Sequence, residues 1–317
     1  MTQTAMSVSD SKKGLPWARH RPAAALCLVG VWFSSGCNLG QLIDQHGNLR
    51  ETTTYRAAYH DTLLDVARRF HLGYVEMVAA NPGTDPWLPG EGAELVLPTV
   101  HLLPEAEPEG IIINLADMRL YYVSAPGAPP QSYPIGIGRE GLTTPLGTTE
   151  VVRKQADPIW HPTARMREED PTLPATVPPG RDNPLGNRAM YLGWPAYLIH
   201  GTNKPWGIGR RSSSGCIRMY PEDMEDLFEK VAVGTRVTVV DQPVKLGWID
   251  GELFMEAHPT QAQSDQLEAQ GRFDPLLPSS VVDQVLAAAG EAAPRLDWSR
   301  IRQAAVERRG YPLQITR

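Results

Sequence analysis

Short apolar stretches, divided by glycine and proline, fill the sequence from residue 111 to residue 240. The 317-residue chain contains 29 prolines and 28 glycines, a composition that favours turns and strands over long helices. The strand candidates are Ile111–Leu115, Arg119–Val123, Ser132–Ile137, Thr149–Arg153, Met190–Leu192, Ala196–Ile199 and Arg236–Val240. The first two alternate around an Ala-Asp turn and predict a hairpin. Strands at this density predict a mainly β fold, a sandwich or a barrel.

Within this β region, the run from His200 to Met219 carries the most chemical information. It places an imidazole and a thiol 16 positions apart, with glycines and hydroxyl residues between them. A thiol is a poor nucleophile until it loses its proton, and its ordinary pKa is about 8.5. A neighbouring histidine can take that proton and later return it to a leaving amine. The run therefore predicts Cys216 as nucleophile and His200 as its base, although a lone cysteine or histidine is more often structural.

Metal and serine chemistry find little support in the sequence. The 8 histidines are scattered, and neither His-Glu-x-x-His nor Cys-x-x-Cys spacing occurs. No Gly-x-Ser-x-Gly is present either. The net charge of −6 gives no electrostatic reason to expect nucleic-acid binding. We predict no metal, no other cofactor and no nucleic-acid partner.

The same run resembles the catalytic signature of L,D-transpeptidases of the YkuD type. The matching residues are His200-Gly-Thr-Asn and the later Ser213-Ser-Gly-Cys-Ile-Arg-Met. Many members of that family carry a second histidine directly before the Gly-Cys pair, where this chain has Ser214. That departure affects the fine tuning of the site and leaves the predicted roles of Cys216 and His200 in place.

The resemblance extends upstream and covers about residues 109 to 241, which we predict to be the catalytic domain. Tyr133-Pro-Ile-Gly-Ile-Gly-Arg-Glu-Gly and Thr144-Pro-Leu-Gly-Thr resemble a strand–turn segment of the family. Trp160-His-Pro-Thr and Pro178-Pro-Gly-Arg-Asp-Asn-Pro-Leu-Gly resemble its substrate-covering insertion. Residues 157–195 are rich in proline and form a long connection, so we predict a lid over the substrate, the alternative being a solvated excursion.

The resemblance implies an enzyme that acts on bacterial peptidoglycan through a cysteine thioester. Cys216 would attack an amide carbonyl of a stem peptide, and His200 would carry the proton. Gly201 would orient the imidazole through its backbone carbonyl, and the backbone N–H groups near Gly215 and Cys216 would form an oxyanion hole. An amine on a neighbouring stem peptide or on a wall-attached protein would then accept the acyl group.

Further candidates for substrate binding come from the same motif. They are Thr202, Ser213, Ser214 and Arg218. A second interpretation of Arg218 remains open, a salt bridge to Glu222 or Asp223 on the predicted helix that follows.

The N-terminus has the pattern of an export signal over residues 1–36. Basic residues precede an uncharged stretch, Ala23–Phe33, which is too short to span a bilayer and has the length of a signal-peptide apolar region. Ser34-Ser-Gly then precedes Cys37, as at a lipoprotein processing site. We predict a periplasmic or envelope protein, either anchored through a lipid on Cys37 or cleaved nearby with Cys37 free.

Residues 37–54 are polar and predict a linker, and residues 55–99 predict a small α/β module. Asp61 is a candidate cap for a first helix, Tyr74–Ala80 predicts a second helix, and an Asn-Pro-Gly turn leads towards a closing strand. This order resembles a LysM module, which binds the glycan of peptidoglycan. The alternative is a packing module without a ligand.

Residues 242–317 predict a hairpin and a helical extension. Trp248–His258 contains an Asp-Gly turn between apolar segments. Ser280–Ala289 and Asp297–Arg309 predict two helices without evident chemistry. The fold class is thus a mainly β, L,D-transpeptidase-like catalytic domain with a small LysM-like domain and a helical C-terminal tail.

Two other functions compete with transfer to an amine. Water could resolve the same thioester, which would make the chain an L,D-endopeptidase or carboxypeptidase. Alternatively, the chain could be a non-catalytic wall-binding protein, although such a protein would not need both Cys216 and His200.

Overall fold

The computed structural model describes residues 42–44 and 53–317. The predicted signal segment, the lipidation candidate Cys37 and most of the predicted linker lie outside the described residues. Within the described part, no helix combines the length and the apolar character needed to cross a membrane.

The N-terminal module has the predicted order of two strands around two helices. Its elements are β1 (Leu42–Asp44), β2 (Thr53–Arg56), α1 (Leu63–Arg69), α2 (Tyr74–Ala80), β3 (Glu94–Leu97) and β4 (Val100–Leu102). β2 pairs with β3 and β1 with β4, both antiparallel. The apolar residues of both helices and of β3 belong to the same core as the β domain that follows, so the module is packed directly onto that domain.

The start of α1 differs from the prediction, because Thr62 and not Asp61 caps the helix. Thr62 Oγ1 accepts the N–H of Asp65 at 3.1 Å, and the Asp65 carboxylate accepts the N–H of Thr62 at 3.2 Å. This reciprocal capping box satisfies two helix-end donors. Asp61 lies one residue outside it and accepts the Ala58 N–H at 2.8 Å and the Tyr55 hydroxyl at 2.6 Å.

The central domain is mainly β, as predicted, and its sheet closes on itself. The strands are β5 (Gly110–Asn114), β6 (Arg119–Val123), β7 (Gln131–Gly138), β8 (Gly147–Ala156), β9 (Arg188–Leu192), β10 (Leu198–His200), β11 (Arg211–Ser213), β12 (Ile217–Met219) and β13 (Arg236–Val240). Their order is β11-β7-β12-β10-β9-β8-β13-β5-β6, and β6 also pairs with β7. That additional pairing closes a barrel, with β11 at its side.

Two of these strands, β11 and β12, lie inside the run from His200 to Met219, where the sequence predicts no strand. Each has only 3 residues, and the Gly215 bend separates them. Segments this short show no alternation long enough to predict a strand. β12 pairs in parallel with β10, with Ile199 opposite Ile217, and this pairing positions the candidate site.

One helix packs on the barrel, and another lies within the predicted lid segment. α3 (Ala164–Glu169) lies within that segment, and α4 (Pro221–Lys230) packs against β9 through its apolar face. Asn183 anchors the segment, because its side-chain amide donates to the carbonyls of Pro158 at 2.7 Å and Pro178 at 3.1 Å.

The C-terminal extension contains the predicted hairpin and helices, together with an additional helix. Its elements are β14 (Val244–Ile249), β15 (Glu252–Ala257), α5 (Gln261–Gln270), α6 (Ser279–Ala289), α7 (Trp298–Glu307) and β16 (Leu313–Gln314). Asp250 and Gly251 both have positive φ, 50° and 80°, as a tight hairpin turn requires. The sequence analysis missed α5, whose apolar residues are few. The hairpin, α6 and α7 enclose a core of their own.

Candidate active site

Strand pairing brings the two ends of the signature run together. β10 ends at His200, and β12 begins directly after Cys216. The parallel register sets His200 opposite Arg218, and paired residues in register share one face of a sheet. Extending that register by one residue places Cys216 beside Leu198, on the face that carries His200. The charge of Arg218 acts on both the imidazole and the thiol, as this arrangement requires.

His200 is a buried, neutral imidazole with a defined tautomer. Its Nδ1 lies 2.6 Å from the carbonyl oxygen of Gly201, and because a carbonyl only accepts, Nδ1 carries the proton and Nε2 has the free lone pair. Burial lowers the pKa of His200 to about 4, and the positive charge of Arg218 acts in the same direction. The imidazole is thus able to accept a proton at neutral pH.

Cys216 carries a free, half-buried thiol and directly precedes β12. Burial raises the pKa of the thiol, against the effects of the Leu198 N–H and the Arg218 charge. Its Sγ lies 3.5 Å from the carbonyl of Ala196. The resting pair is therefore a protonated thiol with a neutral imidazole, and the thiolate forms only when a base takes the proton.

Gly215 lies in a bend whose hydrogen bonds differ from the sequence prediction. Its N–H, predicted to stabilise an oxyanion, donates instead to Ser213 Oγ at 3.1 Å. The Ser213 hydroxyl donates in turn to the Cys216 carbonyl at 2.6 Å. Gly215 has φ +107°, and a Cβ there would lie 2.9 Å from the Tyr197 ring, so only glycine fits this bend.

Ser213 and Thr202 were predicted to bind substrate, but both side chains are buried and engaged within their own loops. Ser213 is 1% exposed, and its hydroxyl fixes the Gly215 bend. Thr202 is 5% exposed, and its Oγ1 accepts the N–H of Lys204 at 3.0 Å. Both hydroxyls therefore have partners within the protein, and their role in substrate binding stays a prediction. Ser214 is half-buried on the same segment.

Arg218 does not form the alternative salt bridges considered for it. Its Nη1 lies 3.4 Å from the Ser212 carbonyl. Glu222 pairs instead with Arg68, at 2.8 Å, and Asp223 pairs with His71, at 2.7 Å.

Arg68 and His71, which pair with Glu222 and Asp223, belong to the N-terminal module. The sequence motif around Arg218 could not indicate these long-range pairs. Among residues 53–317 the Arg218 guanidinium has no carboxylate partner, and burial lowers its pKa. Its charge is thus available to an anionic group of a substrate.

Sequence reasoning missed three residues that shape the thiol's surroundings. Thr144 Oγ1 donates to the Gly215 carbonyl at 2.9 Å, and the Thr-Pro of the upstream motif was the only signal for it. Ala196 has φ +67° and presents its carbonyl to the thiol. Tyr197 lies against Gly215 and donates to the Thr143 carbonyl at 3.4 Å, a contact that nothing in the local sequence predicts.

The N-terminal module holds the signature run from one side. The N–H groups of Tyr74 and Val75 at the start of α2 donate to the carbonyls of Ile208 at 3.3 Å and Gly209 at 3.1 Å. A Cβ on Gly73 would lie 2.8 Å from Gly209 Cα, so the two backbones touch. The signature run therefore completes the cap of a helix in the N-terminal module.

Helix α5 of the C-terminal extension holds the run from the other side. Arg210 stacks on the Tyr74 ring with 3.7 Å between the guanidinium carbon and the ring centroid, and it bonds Glu268 at 2.6 Å. The next residue, Arg211, pairs with Asp265 and donates to the Gln261 carbonyl at 3.2 Å. Both extensions therefore fix the strand that leads to Ser213.

A second polar cluster lies away from the thiol and contains the types of side chain that bind metals. His101, Glu256 and His258 are all buried, and their ligand atoms lie within 4.8 Å of one another. Lys245 Nζ lies 2.8 Å from Glu256 Oε1, the oxygen that also accepts from His258 at 2.6 Å. An ammonium group already occupies the cation position there, so the geometry fits a network of hydrogen bonds and ion pairs better than a metal site.

Comparison with known proteins agrees with the signature run. Residues 108–239 match the family model of the YkuD L,D-transpeptidase catalytic domain. The probable L,D-transpeptidase YbiS of Escherichia coli is 42% identical over 256 residues, which are 78% of this chain and 81% of that protein. The probable L,D-transpeptidase ErfK/SrfK of Salmonella typhimurium is 41% identical over 79% of this chain and 81% of its own length.

Another relative extends the similarity over nearly the whole chain. The probable L,D-transpeptidase ErfK/SrfK of Escherichia coli is 40% identical over 303 residues, 92% of this chain and 96% of that protein. With the family domain matched and the likeness spanning both extensions, this chain belongs to the L,D-transpeptidase family and is an enzyme of that class.

Proposed function

We propose that this protein forms a thioester between Cys216 and a peptidoglycan stem peptide and transfers the acyl group to an amine. One observation carries the proposal: His200 Nδ1 is held at 2.6 Å by the Gly201 carbonyl, on the strand beside the one that follows Cys216. This bond leaves Nε2 as the basic nitrogen on the face that the thiol shares. Family membership supplies the substrate class, and the neutral thiol–imidazole pair supplies the chemistry.

In the first step, Nε2 of His200 takes the proton of Cys216 Sγ while the sulfur attacks an amide carbonyl of the stem peptide. The C–N bond breaks, and the imidazolium returns the proton to the departing amine of the terminal D-amino acid. In the second step, an acceptor amine attacks the thioester, loses a proton to His200 and restores the thiol. The low pKa of His200 favours rapid return of the proton to each leaving group.

We assign the oxyanion to the backbone N–H of Cys216, because the N–H of Gly215 is engaged by Ser213. One such donor typically contributes about 3 kcal/mol to the transition state. We assign Arg218 to a carboxylate of the substrate, since it has no carboxylate partner among residues 53–317, and Ser214 to a polar contact beside it. The wall-attached protein remains an alternative acceptor to a second stem peptide.

We propose that the enzyme works in the cell envelope, where its substrate is. Residues 1–36 would direct export, and a lipid on Cys37 would tether the folded part through the short segment that follows it. Residues 55–99 would act as a LysM-like glycan-binding module, residues 109–241 as the catalytic domain and residues 242–317 as a structural extension that supports the signature run.

Product analysis on defined muropeptides tests this function. The full chain is incubated with a tetrapeptide stem and an amine acceptor, and products are separated and weighed by mass spectrometry. Transfer yields a cross-linked dimer and a free terminal D-amino acid, whereas shortened monomers alone would establish hydrolysis. Cys216→Ala is expected to give neither product, and Cys37→Ala, which removes a cysteine outside the catalytic domain, is the matched control that keeps activity. Product from Cys216→Ala would overturn the proposal.

A further inference from the structure

A cleft of about 600 Å³ lies between helix α1 of the N-terminal module and the catalytic domain. One wall consists of α1 and the residues before it, including His60 and Arg68. The other consists of Trp206, which follows the signature histidine, and of Tyr220 and Glu222 at the start of α4. Neither wall contains Cys216 or His200, so the cleft is separate from the reacting groups.

The walls of the cleft are fixed by bonds between the two domains. Arg68 donates twice to the Glu222 carboxylate, at 2.8 and 3.0 Å. Behind this pair, the start of α2 is bonded to the backbone of Ile208 and Gly209. A cleft held in this way exists before any ligand arrives, which lowers the ordering cost of binding.

The charges of the lining exclude a strongly anionic occupant. The lining contains three carboxylates, of Asp61, Asp65 and Glu222, and two guanidinium groups, of Arg68 and Arg69. Arg68 pairs with Glu222, and Arg69 lies 2.9 Å from Asp61. Since acidic groups outnumber these paired guanidinium groups, the cleft does not attract phosphate or polyanions, but it offers many fixed donors and acceptors to hydroxyl groups.

Trp206 is a large aromatic side chain of the cleft that the catalytic domain leaves exposed. It sits on the short turn Pro205–Gly207 and is 62% exposed. A flat aromatic face beside charged groups is a surface on which a sugar ring can stack its C–H bonds while its hydroxyls bond to the charges. Gly207, the next residue, lies beside Ser212 and Arg218, so the turn that carries Trp206 adjoins the candidate substrate-binding residue Arg218.

We propose that this cleft binds the glycan strand of peptidoglycan, with an N-acetylated sugar stacked on Trp206. The inference rests on the proposed function, because that function makes peptidoglycan the substrate. A glycan strand held here would present its stem peptides to β12, near Cys216 and Arg218. The glycan would thus contact the seam between the two domains, which neither domain forms alone.

The test uses a soluble glycan that contains no peptide, tetra-N-acetylchitotetraose, titrated into the full chain by calorimetry and by NMR of the indole N–H signals. We expect the Trp206 signal, assigned by its loss in Trp206→Ala, to shift on titration. We expect affinity to fall about tenfold in Trp206→Ala, the size of change that losing one stacking contact brings.

Matched controls come from other exposed tryptophans of the chain. Trp298 on α7 is 46% exposed and Trp87 in the N-terminal module is 60% exposed, and we expect Trp298→Ala and Trp87→Ala to bind as wild type does. If Trp87→Ala loses affinity while Trp206→Ala keeps it, the glycan binds the module away from the cleft and the proposal is wrong. Absence of any binding also overturns it.

The two proposals fail separately. The probe contains no stem peptide and therefore no peptide bond for the thiol to cleave, so its binding does not depend on Cys216. A chain that cross-links stem peptides but does not bind the tetrasaccharide contradicts the glycan cleft, together with the glycan-binding role of residues 55–99, and leaves acyl transfer in place. A chain that binds the sugar without forming product contradicts only the acyl-transfer function.

Discussion

Two buried polar centres among residues 53–317 are built in opposite ways. In the active-site centre, burial shifts the pKa of His200 down to about 4 and the pKa of Cys216 up, so both groups are neutral. In the ionic centre, Asp117, Lys245 and Glu256 are fully buried and charged, and Lys245 Nζ lies 2.8 Å from each carboxylate. Burial alone would raise the pKa of Glu256, but Lys245 and two histidines hold it well below its usual range.

The ionic centre has a structural role, whereas the active-site pair has a chemical one. The ionic centre links strands of the barrel to the N-terminal module and to the C-terminal hairpin, because Arg119 Nη1 lies 2.9 Å from Glu76 and Glu256 accepts the N–H of Leu102 at 2.5 Å. Its charged groups are paired with opposite charges, so each keeps its protonation state. The active-site pair has few partners, so its proton can be transferred during turnover.

The sharpest way to separate the centres is to remove the nucleophile. Cys216→Ala is expected to lower the rate of acyl transfer by about 10⁵-fold or more, as removal of a nucleophile does elsewhere. Its free energy of unfolding should change by less than about 1 kcal/mol, because the thiol is half-buried and its contact with the Ala196 carbonyl is long, at 3.5 Å. Steady-state kinetics and urea unfolding measure the two effects. If Cys216→Ala lost stability and kept its activity, the thiol would have a structural role and the contrast between the two centres would be contradicted.

Removing a charge from the ionic centre should have the opposite effect. Glu256→Gln leaves Lys245 with one carboxylate, and breaking a buried ion pair costs about 3–5 kcal/mol of unfolding free energy. The folded fraction should still acylate at its normal rate. Urea unfolding of Glu252→Gln is the control, since the Glu252–Arg295 pair is partly exposed and such pairs contribute at most about 1 kcal/mol. Equal losses in the two variants would contradict a structural role for the cluster.

The pH dependence of stability sharpens the contrast further. The pKa of His200 is about 4 in the folded chain against an ordinary value of 6.5, so between these values the unfolded chain binds the extra proton. Stability should therefore fall as the pH drops from 6.5 to 4, by about 3 kcal/mol from this residue. Comparing urea unfolding of wild type and His200→Gln across that window isolates the effect. Identical slopes would show that His200 is not buried as a neutral group.

The smallest effect concerns Arg218. Burial is the largest cause of the low pKa of His200, and the Arg218 charge adds to it. Arg218→Gln should therefore move the acid limb of the acylation rate to higher pH while keeping it below 6.5. Arg236→Gln, which removes a charge paired with Glu107 at 3.0 Å, should leave the limb in place. A shift to lower pH in Arg218→Gln would contradict the electrostatic assignment.

Local signals in the sequence predicted much of this protein, and contacts across the chain explain what they missed. The strand–turn pattern indicated the barrel, and the spacing of His200 and Cys216 indicated the site. The capping box at Thr62 was legible in the sequence, because a threonine precedes an aspartate by three positions, but the neighbouring Asp61 was chosen instead.

The ionic centre could not have been predicted in the same way. Glu76, Asp117 and Glu256 lie far apart in the sequence, and each resembles an ordinary surface carboxylate until the chain folds. The hydrogen bond from the Gly215 N–H to Ser213 could not be predicted for a related reason, since the partner of an N–H depends on the bend that Ser213 forms. The contact between Gly73 and Gly209 likewise joins two domains that the sequence presents as separate.

The most direct test of the central claim is the mass of the acylated enzyme. Full-length protein is mixed briefly with a tetrapeptide stem and no acceptor, quenched in acid, and examined by intact and peptide mass spectrometry. The thioester mechanism predicts that the mass increases by the tripeptide acyl group, that the increase maps to the peptide containing Cys216, and that an equal amount of terminal D-amino acid is released. Release of that amino acid with no adduct on Cys216, or with the adduct on another residue, would contradict it.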